Sequence, residues 1–302
     1  MNAIGMRKGL IRHLAVPLKG SDIFAAAEFE QRVTLWSFAA RAKLAEFDTV
    51  LDFGGNRLAL AANANVLLVA ARFSGPLEVY GSGGDLLWSR KDLFGIQHLT
   101  QLSGRGPLAL GVGREHGPYV ILNALDGTNI RIVHDTSRIF GNPYSVEVLH
   151  VTAHRSVYLA TLDSGPSWER SLTSFAVIHA AFSPTEVVYS EAAGPVHCFQ
   201  LGGQKKWEIN PEQGRHFIRV AWNHATGTWM AIDWNYENGG SKLLLEITDK
   251  GTACPIADLG EPAEIEFFGG GDYLATSNGD ILVTRSAEVV WRFADPRACE
   301  LS

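Results

Sequence analysis

Charge, sulfur and long apolar runs are all scarce in this chain of 302 residues. Charged residues make up 19% of it, 26 basic against 32 acidic, for a formal net charge of −6. No stretch gathers lysine and arginine into the basic stripe that binding a phosphate backbone requires, so nucleic acid is not an expected partner. The three cysteines, Cys198, Cys254 and Cys299, are odd in number and lack Cys-x-x-Cys or other ligand-like spacing. That excludes a disulfide framework and a cysteine zinc site, and suits a reducing compartment. No segment approaches the roughly 20 apolar residues of a membrane helix, and Arg12 and His13 interrupt the N-terminal stretch before it reaches signal-peptide length. The expectation is a cytoplasmic protein with no membrane partner.

Long amphipathic helices are missing as well. The best helical candidate, residues 22–32 (DIFAAAEFEQR), fits the repeat phase better as a strand. What the chain does have is 46% hydrophobic residues, enough for a substantial core, in short β-runs bounded by Gly, Pro, Asn or Asp. Asn278-Gly279 between two such runs is a strong hairpin signal, because both central residues of a type I′ turn need positive φ. Gly83-Gly84-Asp85 and Asp126-Gly127 act similarly. Turns of this kind build antiparallel meanders and disfavour a parallel α/β sheet.

Three segments repeat one plan: VLLVAARFSGPLEVYGSGGDLLWSR from Val66, VVYSEAAGPVHCFQLGGQKKWEI from Val187 and DYLATSNGDILVTRSAEVVWRF from Asp272. Each is three β-runs separated by turns, with a Trp closing the last run. A unit that cannot bury its own faces must stack on copies of itself. Recognisable units begin near Phe24, Val66, Pro107, Ser156, Val187, Thr228 and Tyr273, a mean spacing of about 41 residues, within the roughly 40 to 45 of a four-stranded blade. The intervals of 119 and 84 residues between Trp88, Trp207 and Trp291 agree with three and two units. The short step from Ser156 to Val187 predicts a truncated or irregular fourth unit and keeps a six-unit count as the alternative. Unit edges are expected near residues 50, 92, 136, 174, 211 and 260. Residues 6–13 either begin the first unit or add to the last.

Gly84-Asp85-Leu86-Leu87-Trp88 and Gly203-Gln204-Lys205-Lys206-Trp207 are similar to the Gly-x-x-x-Trp ending of quinoprotein-type repeats. The whole chain, residues 1–302, thus resembles the seven-bladed β-propeller superfamily of WD40-like and quinoprotein-like repeats, which implies an all-β fold in a single domain. No Gly-His paired with Trp-Asp occurs, nor the vicinal cysteines and calcium ligands of the quinone enzymes. The resemblance therefore implies a fold and little about function.

Motifs for chemistry give way to structural readings. Gly111-Val112-Gly113 superficially resembles a dinucleotide fingerprint, but a β-run follows it where that motif needs a helix N-terminus. His150 and His154 have a spacing that converges on one metal only along a helix. Gly-x-Ser-x-Gly and His-Glu-x-x-His are absent, and no cofactor is expected. Asp163, Asp233 and Glu237 could supply paired carboxylates for glycoside chemistry, and a small-ligand or carbohydrate-active enzyme using the central pocket is the alternative reading.

The positive expectation is binding. Loops joining second to third strands, and each blade to the next, gather on one propeller face. By this reading they carry Arg72, Phe73, Arg114, Glu115, His116, Trp168, Glu169, Arg170, Arg215, Tyr236 and Glu237. Trp, Tyr and Arg are enriched at energetic hot spots because each joins large area to a directed polar group. The chain is therefore expected to be a non-enzymatic protein-binding propeller, in its sharpest form an immunity or inhibitor protein that blocks a toxin.

Overall fold

In a computed structural model the described residues are 11–18, 22–28, 32–49, 57–62, 66–71, 75–102, 109–114, 118–162, 164–174, 176–237, 240–262 and 264–293. They form seven four-stranded antiparallel sheets and, among the described residues, no helix. The sheets span residues 11–48, 57–90, 96–133, 136–171, 177–209, 215–258 and 265–292, and stand as seven blades of a ring with the first strand of each at the centre. The expected unit edges near residues 92, 136, 174, 211 and 260 fall in, or at the border of, a connection between blades, and position 50 lies outside the described residues. Residues 22–28 are strand, as the repeat phase required: Ile23–Glu28 pairs with Arg32–Ser37.

The fourth blade is complete, which corrects the truncation expected from the short step. Its second strand is Glu147–Thr152 and its third is Ser156–Thr161, separated by a three-residue turn. In the other units the recognised run is the second strand, so an anchor placed at Ser156 lies one strand late and compresses the next interval. Only the outer strand, Trp168–Ser171, is short.

Each strand reads as it does because of where it lies in its blade. Middle strands are covered on both faces by the neighbouring blades, so Glu186–Glu191 is buried at all six positions. Outer strands face solvent, and Ala42–Asp48 is exposed at most of its positions. Aromatic side chains lock one blade to the next. The Trp88 indole donates to the Ala124 carbonyl at 2.9 Å and lies against Gly127 of the following blade. Trp168 repeats the arrangement, donating to Leu201 O at 3.0 Å and covering Gly203. Two residues on, Arg90 and Arg170 donate to the carbonyls of those same glycines, at 2.8 and 3.1 Å. Phe47 packs on Gly84 and Trp207 on Gly251 in the same manner. All four glycines have positive φ, so a side chain there would be strained and would occupy the ring's place.

Among the described residues no strand is exchanged at the ring's seam. Ile11–Ala15 is the inner strand of the first blade, paired with Ile23–Glu28, while Val289–Arg292 is the outer strand of the last; residues 1–10 lie outside the described residues. The seam is held by rings. Phe24 meets Phe293 at 4.8 Å between centroids and Phe268 at 5.6 Å, and Trp36 meets Trp291 at 5.9 Å. Such edge contacts add to the burial of large aromatic area.

Candidate functional site

A four-stranded meander places its first and third turns at one end and its second turn, with the exit to the next blade, at the other. The ring therefore has two distinct faces. Arg114 ends the strand Ala109–Arg114 on the exit face, where its guanidinium lies 4.8 Å from the centre of the Phe94 ring and its Nε donates to Phe94 O at 3.1 Å. Phe94, in the connection between the second and third blades, is 56% exposed. It was missed in the sequence, where the one signal is an aromatic residue inside a short polar connection. Arg72, Phe73, Glu115 and His116 lie outside the described residues.

On the sixth blade the same face carries a second group. Arg215 opens the inner strand Arg215–Asn223 and is ion-paired with Asp233 on the adjacent strand Thr228–Asn235. Tyr236 follows that strand, anchored by its backbone N–H to Gly214 O at 3.0 Å, and its ring stacks on His216 at 4.6 Å with 19° between planes. Trp234 lies 5.2 Å from His216, and the Lys242 ammonium is 5.7 Å from the Trp234 ring centre. Glu237 folds over Gly214, whose φ of 76° leaves no place for a side chain. Burial lowers the His216 pKa, opposed by Asp233, and lowers that of Lys242 against the pull of Glu264 and Glu261. Asp233 Oδ1 and His216 Nδ1 are buried without a partner. The result is an exposed aromatic platform, Tyr236 being 46% exposed, over a charged base.

Trp168, Glu169 and Arg170 do not belong to this group. They form the outer strand of the fourth blade, not a loop, and the Trp lies at the opposite face, where its ring and Arg170 dock on the fifth blade. Their placement is explained by scaffold packing. Gly111 and Gly113 are likewise structural, since a side chain at either would meet Tyr119. His150 is buried and stacks on Tyr158 at 4.6 Å, and burial takes its pKa down to about 4. Among the described residues no three His, Cys, Asp or Glu side chains are grouped to hold a metal.

The centre of the ring is a cavity of 520 Å³ that reaches the face opposite Arg114 and Tyr236. Each inner strand presents one half-exposed residue at the same register: His13, Leu58, His98, Arg138, His179, Arg219 and Glu266. Arg219 binds Glu266 at 2.8 Å and approaches Glu264 at 3.5 Å. Burial, with Arg219 and His98 nearby, takes the His179 pKa down to about 3, and its Nδ1 accepts the Val220 N–H at 3.4 Å. At the mouth, Tyr144 of the fourth blade hydrogen-bonds His224 of the sixth, spanning the fifth. Of the carboxylates proposed for glycoside chemistry, Asp233 is held by Arg215 outside this cavity and Asp163 lies outside the described residues. Glu266 is the one carboxylate among the described cavity residues, and an arginine covers one of its oxygens.

No family model matches this chain, and no curated protein matches it. Solved structures do. A chain of the mitotic checkpoint complex aligns over 98% of this chain and 94% of its own, with a TM-score of 0.65 and 14% identity. The C-terminal WD40 domain of Sif2 aligns over 90% and 94%, with a TM-score of 0.61 and 11% identity. The computationally designed Ika8 protein aligns over 94% and 86%, with a TM-score of 0.60 and 16% identity. At these identities the likeness is one of fold: the chain is a seven-bladed β-propeller.

Proposed function

We propose that this protein is a non-enzymatic binding propeller that holds a protein partner on its exit face. The observation that carries the reading is the pair of aromatic and cationic groups there, Arg114 with Phe94 and Arg215, His216 and Trp234 with Tyr236. Both are fixed by backbone or ring contacts, so little conformational freedom is lost on binding. Exposed aromatic rings with adjacent arginines are the side chains that dominate protein interfaces. WD40-type propellers commonly serve as protein-interaction scaffolds, and one structural neighbour was solved within a checkpoint complex. A sharper version has the chain as an immunity or inhibitor protein occluding a toxin, for which a net charge of −6 suits a basic partner.

The test is a comparison of tagged full-length chain with a double variant, Arg114→Ala and Tyr236→Ala, each expressed in the native host. A stoichiometric protein that co-purifies with the first and is lost from the second is the expected result. Recovery of no such protein, or equal recovery with the variant, contradicts the reading. The inhibitor version further requires that the recovered partner be toxic when expressed alone and harmless beside the wild-type chain.

A further inference from the structure

The cavity at the ring centre differs in kind from the exit face. Its wall is mainly aliphatic and aromatic, including Leu60, Leu99, Phe140, Phe182, Trp222 and Phe268. Six of the described cavity residues are polar: Thr100, Gln101, Tyr144, His179, His224 and Glu266. Four of these are engaged within the protein. Thr100 donates to Gln101 O at 3.2 Å, Gln101 Oε1 accepts the Leu18 N–H at 3.3 Å, and Tyr144 and His224 bind each other.

The remaining two are each half used. His179 accepts Val220 N–H on Nδ1, which fixes the neutral tautomer and leaves Nε2–H as a donor. Glu266 receives Arg219 on Oε1, which leaves Oε2 as an acceptor. Of the side chains that line this space, His179 thus offers a donor and Glu266 an acceptor, beside apolar groups and the Trp222 indole. An anion would meet the Glu266 carboxylate, and a cation would find that carboxylate already paired with Arg219.

We propose that the cavity binds an uncharged, largely aromatic small molecule carrying a single hydroxyl or equivalent donor–acceptor end. The hydroxyl oxygen accepts from His179 Nε2–H and its proton is donated to Glu266 Oε2, while the ring system fills the apolar wall. The volume of 520 Å³ is within the roughly 300 to 1,000 Å³ of ligand pockets. This site is on the face away from the proposed protein-binding groups and stands independently of them.

The probe is 2-naphthol, titrated into the purified full-length chain and followed by its fluorescence. Saturable binding at one site is expected. Binding by 2-methoxynaphthalene, which cannot donate, should be about five- to tenfold weaker, the size expected for one lost hydrogen bond in a dry site. The anion 2-naphthoate and glucose should not compete. Ala181→Trp and Leu99→Trp, which enlarge residues of the cavity lining on two different blades, should each weaken 2-naphthol at least tenfold. Either variant serves, provided its unfolding curve shows that it folds. Arg114→Ala with Tyr236→Ala should leave 2-naphthol binding unchanged. No saturable binding, undiminished binding in a folded cavity-filling variant, or preferential binding of naphthoate or glucose overturns the proposal.

Discussion

Gly203 allows the blade-locking device to be perturbed at a site that carries no side chain of its own. Its φ is 90°, and a Cβ there would stand 2.8 Å from Cγ and Cδ1 of Trp168 on the preceding blade. Left-handed backbone costs an alanine about 1–2 kcal/mol, and pushing a buried ring aside costs about 1–3 kcal/mol more. Gly203→Ala should therefore destabilise the protein by about 2–5 kcal/mol. Its neighbour is the control: a Cβ on Gly202 meets nothing within 4 Å, so Gly202→Ala should stay within about 0.5 kcal/mol of wild type. Urea unfolding followed by circular dichroism reads both. The cycle with Trp168→Ala separates the two causes. Trp168→Ala alone should cost about 3–5 kcal/mol through the buried indole. In that background Gly203→Ala should cost less, because the ring it struck is gone: the backbone share of about 1–2 kcal/mol and the contact with the Cβ that remains at position 168, 2.9 Å away. If Gly203→Ala matches Gly202→Ala, or costs the same with and without the indole, the docking of Trp168 on Gly203 does not hold the blades together.

Two further perturbations test other contacts. Glu191 is fully buried on the fifth blade; burial raises its pKa, but hydrogen bonds from His197, Thr173 and the Ser174 N–H outweigh this and pull it down to about 2, from an ordinary 4.5. A lowered acid pKa stabilises the fold above the unfolded value, so this contribution is lost as pH falls from about 4.5 through 2. Glu191→Gln should lose about 3 kcal/mol at pH 7, the free energy that corresponds to the lowered carboxyl pKa, and show a flatter stability profile below pH 4.5. A wild-type slope retained by Glu191→Gln in acid unfolding curves would count against this. At the seam, Phe293→Ala should cost about 3–5 kcal/mol, and hydrogen exchange should rise first in Ile11–Ala15, Ile23–Glu28 and the last blade. Uniform change around the ring would mean that the aromatic seam is not the local closure.

The propeller was legible because its signal is repeated. Trp88, Trp207 and Trp291 recur at near-multiples of the blade length, and every blade edge fell where turn residues interrupt apolar runs. Two features escaped. EVLHVT and SVYLAT, separated by three residues, are equally strand-like, so nothing local shows which is the second strand of the fourth blade. Trp168 sits among Ser, Gly, Pro and charged residues, the composition of a loop. It is a strand through its pairing with Leu159 and its hold on the next blade. A Trp-x-Arg shared by residues 88–90 and 168–170, with a downstream turn glycine in each case, was the available clue. The cavity had no local signal, because its residues come in short runs from the inner strands of all seven blades and the turns after them, and only the closed ring brings them together. On the exit face, Arg215, Tyr236 and Glu237 are adjacent as the irregular WNYENGG segment suggested, whereas the role of Phe94 depends on Arg114 reaching it from another strand.

The central claim is that the exit face meets the partner. Hydrogen–deuterium exchange on the purified complex, compared with the free chain, tests it directly. Protection is predicted at residues 91–95, 214–216 and 236–237, with the opposite turns at 142–146, 224–227 and 269–271 unchanged. Protection confined to those opposite turns would place the partner over the cavity mouth and contradict the account.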